Sequence, residues 1–176
     1  MNQQLLLLIN SWAGDSAALD ATMVFCAQQL IYVVFAIAAL WGLYALKQRE
    51  LKPLTCFLAS LAVSFVLALI ISHLYIEHRP FVTYQLVQLI PHEANQAFPS
   101  DHTLAASAIA FGFMFFTRLK KLGALLLAIA ILIGFSRVFT GVHYPGDIAG
   151  AIVIALIGAT LIHRCYRHTP LATIAR

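Results

Sequence analysis

The stretch from residue 79 to residue 147 contains polar residues whose types fit one chemistry. Arginine side chains present forked N–H donors that match phosphate oxygens. One histidine can attack phosphorus, and a second, protonated histidine can give a proton to the leaving oxygen. Together these residues predict phosphoryl transfer. The residues concerned are Arg79, Ser100, His102, Arg137, His143 and Asp147.

Two predicted helix starts carry residues of this set. His143 and Asp147 are four residues apart, and Pro145 between them suits the first turn of a helix. Asp147 could accept a hydrogen bond from one ring nitrogen of His143 and leave the other nitrogen free to attack, as a triad aspartate does. Ser100 precedes another predicted helix, where a hydroxyl and free backbone N–H groups can bind an anion. We expect Ser100 to be both a helix cap and a phosphate ligand.

The composition places these residues in a membrane protein. Of the 176 residues, 61% are hydrophobic and 10% are charged, against about half and about a quarter in soluble domains. The net charge of +4 comes from basic residues that form no stripe with exposed aromatic residues, so no nucleic-acid partner is predicted. Residues 1–176 are predicted to form one integral membrane domain.

Five apolar segments are predicted to be transmembrane helices of an all-α bundle. They are residues 24–46, 54–76, 102–117, 122–138 and 146–163. The third is short and rich in small residues, which suits packing against neighbouring helices. Residues 2–12 contain an apolar run that is too short to cross, and they are predicted to form an interfacial helix. A sixth crossing there is the alternative.

The distribution of basic residues predicts the orientation, because basic loops mark the cytoplasmic side. Five crossings put nine of the eleven basic residues on one side. These nine are Lys47, Arg49, Lys52, Arg118, Lys120, Lys121, Arg164, Arg167 and Arg176. Arg79 and Arg137 are left on the opposite face, together with the loops 77–101 and 139–145. A basic residue there needs a reason, and a bound phosphate supplies one.

Three short stretches resemble the three-part signature of the type-2 phosphatidic acid phosphatase superfamily. They are Arg79-Pro80, then Pro99-Ser100-Asp101-His102, then Ser136-Arg137 followed by His143 and Asp147. The resemblance implies a helical phosphatase without metal or other cofactor. It also implies that His143 forms a phosphohistidine, that Asp147 orients it and that His102 is the general acid. The phosphate-binding residues it implies are Arg79, Ser100 and Arg137.

The chain departs from the usual signature at two positions. Ser72 stands where the family usually has a lysine, and Asp101 stands where it usually has a glycine. Loss of the lysine removes one phosphate contact, and the sequence assigns no substitute among the nearby His73, Glu77 and His78. His73 and Glu77 are four residues apart and could pair with each other or with Arg79.

Further stretches resemble the bacitracin-resistance branch of the family, the undecaprenyl pyrophosphate phosphatases. They are PSDH, LIPHEANQAFPSDHT and GFSRVFTGVHYPGD. Asp101 is then a feature of the branch, and we group it with the phosphate-binding residues. His92 and Glu93, in the same long loop, are predicted to face solvent or lipid headgroups.

The branch resemblance implies removal of the terminal phosphate from a polyprenyl diphosphate lipid. The enzyme would be a multi-pass protein of the bacterial cytoplasmic membrane, surrounded by membrane lipids, with its site facing outward. It would recycle the cell-wall lipid carrier and support bacitracin resistance. The oligomeric state stays open.

Three other functions are compatible with the sequence. One is a phosphatase or phosphotransferase for another lipid phosphate, such as phosphatidylglycerol phosphate, phosphatidic acid or a lipid A precursor. Another is a transporter in which the polar residues relay protons or anions. The last is a metal site built from the histidines and Asp147, which the two arginines disfavour because cations repel a metal ion.

Overall fold

The computed structural model describes the backbone of residues 1–168 and the side chains of residues 1–166. Residues 169–176 of the predicted domain lie outside the described residues, and they include Arg176 from the charge pattern. The side chain of Arg167, from the same pattern, also lies outside them. Within residues 1–168 the regular elements are helices, which confirms the predicted all-α bundle. They are α1 (Asn2–Asn10), α2 (Ala17–Gln28), α3 (Leu30–Lys47), α4 (Leu51–Leu74), α5 (Pro80–Thr83), α6 (Asp101–Phe116), α7 (Lys120–Phe139) and α8 (Pro145–His168).

Four helical segments are long and apolar enough to cross a membrane. They are Ala17–Lys47, Leu51–Leu74, Lys120–Phe139 and Pro145–Tyr166. The first segment begins at residue 17, not at residue 24 as predicted. It consists of two consecutive helices, α2 and α3, which are separated at Gln29. Helix α2 carries Asp20 and ends at Gln28, so its residues look less apolar than a spanning segment. The 18 residues of α3 already extend about 27 Å, close to the thickness of the hydrocarbon core.

Helix α6 is the shorter apolar helix of 16 residues and occupies the centre of the bundle. It packs against α4, α7 and α8, and most of its side chains are buried, including a run of small residues. Near the end of α6, the ring of Phe113 packs with those of Trp41 and Phe57, with centroids 4.9 to 5.4 Å apart. This packing holds α6, whose start carries part of the signature, inside the bundle.

The loops 75–100 and 140–144 meet on one face of the bundle, called the loop face below. The N–H of Leu89 donates to the carbonyl of Thr140 (3.2 Å), and the N–H of Ser100 donates to the carbonyl of Asp147 (3.4 Å). The starts of α6 and α8 and the end of α7 therefore lie next to one another, as the predicted topology requires.

Helix α1 braces the hairpin between α7 and α8. The amide of Asn10 donates to the carbonyls of Val87 (2.8 Å) and Phe139 (2.9 Å) and accepts from the N–H of Val87 (2.9 Å). At the other end of α1, the side-chain oxygen of Asn2 accepts from the N–H of Gly146 (2.8 Å). With nine residues, α1 extends about 14 Å and is too short for the alternative sixth crossing.

The packing of α4 on α8 depends on the missing side chain of Gly158. A Cβ atom there would lie 2.9 Å from the backbone nitrogen of Ser64 and 3.0 Å from its Cα. Because a helix backbone cannot move aside, we expect Gly158→Ala to destabilise the protein by about 1–3 kcal/mol and to lower its melting temperature. Gly42→Ala is the control, because its Cβ would meet only Leu54, at 4.0 Å. Equal melting temperatures for the two variants would contradict this account of the interface.

Candidate active site

His143 and Asp147 form a buried pair at the hairpin before α8. Their exposed fractions are 2% and 0%. The Nδ1 atom of His143 lies 3.2 Å from Oδ2 of Asp147, which also accepts the backbone N–H of Tyr144 at 2.8 Å. Pro145 begins α8 and places Asp147 in its first turn, directly below the imidazole. Because a carboxylate accepts, Nδ1 carries the hydrogen and Nε2 is the free nitrogen.

Arg79 lies against the free nitrogen of that imidazole. Its Nη1 donates to Nε2 of His143 (3.1 Å) and to the carbonyl of Val142 (3.0 Å), and its Nε donates to Oδ1 of Asn95 (2.8 Å). Since a guanidinium only donates, Nε2 presents its lone pair to Arg79. Burial, followed by the charges of Arg137 and Arg79, holds the pKa of His143 well below its ordinary value. The imidazole is therefore neutral near pH 7, the state that a nucleophile needs.

Arg137 is a buried cation with an unused donor. It is 3% exposed at the end of α7, and its Nη1 donates to the carbonyl of Ala27 (3.3 Å). Its Nε is buried without a partner among the described residues. A buried charge is costly unless it is paired, so this guanidinium is suited to an anionic ligand.

A cavity of about 270 Å³ lies beside Arg137. Its lining is rich in polar and aromatic side chains. These include Gln28, Gln29, Tyr32, His92, His102 and Arg137. The general acid predicted from the sequence, His102, thus lies in the same cavity as Arg137, which is predicted to bind phosphate.

The start of α6 only partly matches the expectation for Ser100. Ser100 is buried and occupies the cap position, but its hydroxyl makes no capping hydrogen bond. Instead, the Thr103 hydroxyl donates to Ser100 Oγ (3.2 Å), so the predicted side-chain cap is wrong. The backbone N–H groups of residues 101–103 have no acceptor within the helix. Asp101 is exposed and lines the same cavity as Arg79. Its direct contact with phosphate stays a prediction.

A second, larger cavity of about 540 Å³ is a groove that leads to Arg79. Most of its lining is apolar and comes from α4, α6 and the loop before α6. The apolar side chains include Phe65, Val66, Leu69, Phe98 and Leu104. Val66 and Leu69 are 55% and 60% exposed on the side of the bundle. An apolar groove with a cation at its end fits a lipid phosphate.

The structure also brings His92 to the site, contrary to the expectation that it faces solvent. Its ring is perpendicular to that of His143, with centroids 6.4 Å apart, and burial followed by the charge of Arg79 lowers its pKa. Gln28 and Gln29, which line the same cavity as His92, were not predicted as site residues either. The available signal in the sequence was a pair of polar residues inside an apolar segment. Glu93 is exposed, as expected.

The polar residues near the missing lysine are arranged differently from the predicted alternative. The ring nitrogen Nδ1 of His73 donates to the carbonyl of Leu69 in its own helix (2.7 Å), so His73 does not pair with Glu77 through that nitrogen. The Ser72 hydroxyl donates to the same carbonyl (2.9 Å). His78 is exposed. Ser72, at the position of the usual lysine, lines the groove that leads to Arg79.

The donors of a metal site are not grouped in the part of the chain that the structure describes. Within it, no cluster of three or more His, Cys, Asp or Glu side chains could hold a metal ion. The charges facing His143 are instead the guanidinium groups of Arg79 and Arg137.

Comparisons with known proteins agree on one family. The family model described as the PAP2 superfamily matches residues 53–170. Undecaprenyl-diphosphatase BcrC of Bacillus subtilis is 36% identical over 167 residues, which cover 93% of this chain and 83% of that protein. Bacitracin transport permease protein BcrC of Bacillus licheniformis is 31% identical over 155 residues, which cover 88% and 75%. The crystal structure of Aquifex aeolicus LpxE has a TM-score of 0.75 at 25% identity and covers 93% of this chain and 94% of that one.

Proposed function

The chain belongs to the PAP2 superfamily, as predicted, and from that premise we propose that this multi-pass membrane phosphatase removes the terminal phosphate of undecaprenyl diphosphate. One observation carries the proposal: the neutral Nε2 of His143 and Arg79 lie 3.1 Å apart, and the lipid-facing groove ends at that arginine. The substrate is the one named for the Bacillus subtilis relative.

In the first step, a phosphate oxygen takes the N–H of Arg79 that now faces His143. This frees Nε2 to attack phosphorus. The Nε2–P bond forms while the bond from phosphorus to the bridging oxygen breaks. His102, which holds a proton once the anionic diphosphate lies beside it, gives that proton to the bridging oxygen. The lipid leaves as a monophosphate. Asp147 holds Nδ1–H and stabilises the positive charge that the ring acquires.

In the second step, water hydrolyses the phosphohistidine. Neutral His102 takes a proton from the water, whose oxygen attacks phosphorus, and the P–Nε2 bond breaks with its electron pair returning to His143. Inorganic phosphate is released. We propose that Arg79, Arg137, Ser100 and the first N–H groups of α6 bind the transferred phosphoryl group through both steps. Metal independence follows, because these cationic groups neutralise the charge.

We also propose that the loop face is the outer face of a bacterial cytoplasmic membrane. The distribution of lysine and arginine supports this orientation. The substrate would enter sideways from the lipid through the groove between α4 and α6. In that position the enzyme would recycle the lipid carrier of the cell wall and confer bacitracin resistance.

The proposed function is tested by phosphate release from the purified protein in detergent. We expect undecaprenyl diphosphate to be hydrolysed faster than phosphatidylglycerol phosphate, phosphatidic acid or a lipid A precursor, with or without EDTA. Faster release from one of the other lipids would contradict the proposed substrate, and loss of activity in EDTA would contradict metal independence. A phosphotransferase would consume the lipid phosphate without releasing an equal amount of inorganic phosphate.

Transport is the alternative that the name of the Bacillus licheniformis relative raises. A transporter is expected to carry its polar residues near the middle of the membrane, commonly at broken helices in repeated halves. Here Arg79, Arg137 and His143 lie at helix ends on the loop face. Hydrolysis is therefore the better account of the site.

A further inference from the structure

The cavity beside Arg137 has a wall that contains no signature residue. This wall comes from the junction of α2 and α3 and from the loop before α6, and its polar side chains are those of Gln28, Gln29 and His92. The cavity of about 270 Å³ has room for a small anion and several waters, each of which takes about 30 Å³. Gln29 and Pro91 are exposed, so the cavity opens at the protein surface.

The junction of α2 and α3 holds Arg137 from one side. Ala27 is among the last four residues of α2, whose carbonyls have no donor within a helix, and its carbonyl accepts from Nη1 of Arg137 (3.3 Å). Nε of the same buried guanidinium has no partner among the described residues. Because a buried charge is costly unless it is paired, an anion in the cavity would be the missing partner.

His92 presents a hydrogen-bond acceptor to the same cavity. Its Nδ1 lies 3.3 Å from the carbonyl of Glu93, and because a carbonyl only accepts, Nδ1 carries the hydrogen and Nε2 has a lone pair. Burial, followed by the charge of Arg79, lowers the pKa of His92, so the ring is neutral at about pH 7. A cation and a lone pair in one cavity suit a ligand that both accepts and donates.

We propose that this cavity binds inorganic hydrogen phosphate and that Nε2 of His92 accepts the hydroxyl of the ion. Arg137 and the amides of Gln28 and Gln29 donate to its other oxygens. Inorganic phosphate keeps a hydroxyl throughout the neutral pH range, whereas a phosphate ester loses its last ionisable hydroxyl at about pH 6. The lone pair therefore favours the free ion over a lipid phosphate. The ion would be the product of the second step, and only this source rests on the proposed function.

Sulfate is the matched comparison for hydrogen phosphate. Both are tetrahedral dianions at about pH 8, but sulfate has no hydroxyl to donate. Its lone pairs would face that of Nε2, and an acceptor left without a donor is costly. We expect titration calorimetry in detergent to show that inorganic phosphate binds at least about tenfold more tightly than sulfate. As the pH falls below the pKa of His92, Nε2 gains a hydrogen that either anion can accept, and the preference should decline.

The other charged or titratable groups that face His92 act on both dianions alike. Cationic groups attract phosphate and sulfate equally, and an anionic group repels both. The ratio of the two affinities therefore reports on the hydroxyl. These groups are Arg79, Glu93, His102, Arg137 and His143.

Two substitutions at His92 assign the preference to Nε2. His92→Asn keeps a donor at the position of Nδ1 and removes Nε2, so the affinity ratio should fall by about 3- to 10-fold, the value of one hydrogen bond. His92→Gln extends an amide oxygen to the position of Nε2 and should retain the preference. His73→Asn is the control, because this histidine is exposed and bonds to its own helix. Melting temperatures check that all three variants fold.

Equal affinities for the two anions in the original protein, or an unchanged ratio in His92→Asn, would overturn the proposal. The titration contains no lipid. Selective phosphate binding by a protein that hydrolyses no undecaprenyl diphosphate would therefore refute the proposed function and leave the phosphate site standing.

Steady-state kinetics separate the free ion from the lipid phosphate as the ligand of this cavity. In His92→Asn, inhibition by added inorganic phosphate should weaken by a larger factor than any rise in the KM of the lipid. A raised KM with unchanged inhibition would assign the cavity to the lipid phosphate and overturn the site for the free ion.

Discussion

His143→Ala is expected to lower phosphate release by roughly 10⁴-fold or more, because it removes the atom proposed to attack phosphorus. The neutral Nε2 lies 3.1 Å from Nη1 of Arg79, the arginine at which the groove ends. Alanine removes both the attacking nitrogen and the hydrogen bond to Asp147. Residual turnover would come only from the arginines that still bind and polarise the phosphate.

The measurement should separate loss of chemistry from loss of fold. We expect a phosphate-labelled substrate to leave a covalent label on the original protein after an alkaline quench, and to leave none on His143→Ala. His73→Ala is the matched control, because this histidine is exposed and bonds to its own helix. It should keep full activity and labelling. Full activity of a folded His143→Ala variant would contradict the proposed mechanism.

His102→Ala is expected to slow hydrolysis of lipid phosphates by about 10²- to 10⁴-fold, the usual contribution of a general acid. His102 lies in the cavity that contains Arg137 and His92. With a poor leaving group, breaking the bond to phosphorus requires the proton of His102. A nitrophenyl phosphate releases an anion that needs no proton, so the first step should survive the substitution.

This difference predicts a distinct time course for the His102→Ala variant. Its reaction with a nitrophenyl phosphate should begin with a burst of one nitrophenolate per enzyme and then become slow, because the second step still lacks its base. Rapid mixing with absorbance detection would follow both phases. If His92 were the acid instead, His102→Ala would lose little activity and His92→Ala would show the burst.

The membrane helices and the meeting of the signature residues could be predicted from the sequence. Apolar length reports a crossing, and the alternation of basic loops assigns each loop to a face, so Arg79, His102 and His143 were expected on the same face. Both inferences use properties that are local or that simply count crossings. The start of the first crossing was the exception, because α2 is helical without being strongly apolar.

The details of the long loop could not be predicted. The expected exposure of His92, the cap at Ser100 and the pairing of His73 with Glu77 all depend on how residues 75–100 fold. That fold rests on contacts between distant parts of the chain, such as Leu89 with Thr140 and Ala97 with Glu77. Such contacts leave no periodic pattern in the sequence.

The hydrogen bonds of α1 connect the site to a part of the chain that precedes the signature. Asn2 and Asn10 bind the two ends of the hairpin that carries His143, yet both precede residues 53–170 of the family match. A hybrid protein with a foreign first helix would keep every signature residue and lose both contacts. We therefore expect the conformation of the hairpin that carries His143 to depend on two asparagines outside the signature, so that transferring the signature residues alone would not transfer the geometry of the site.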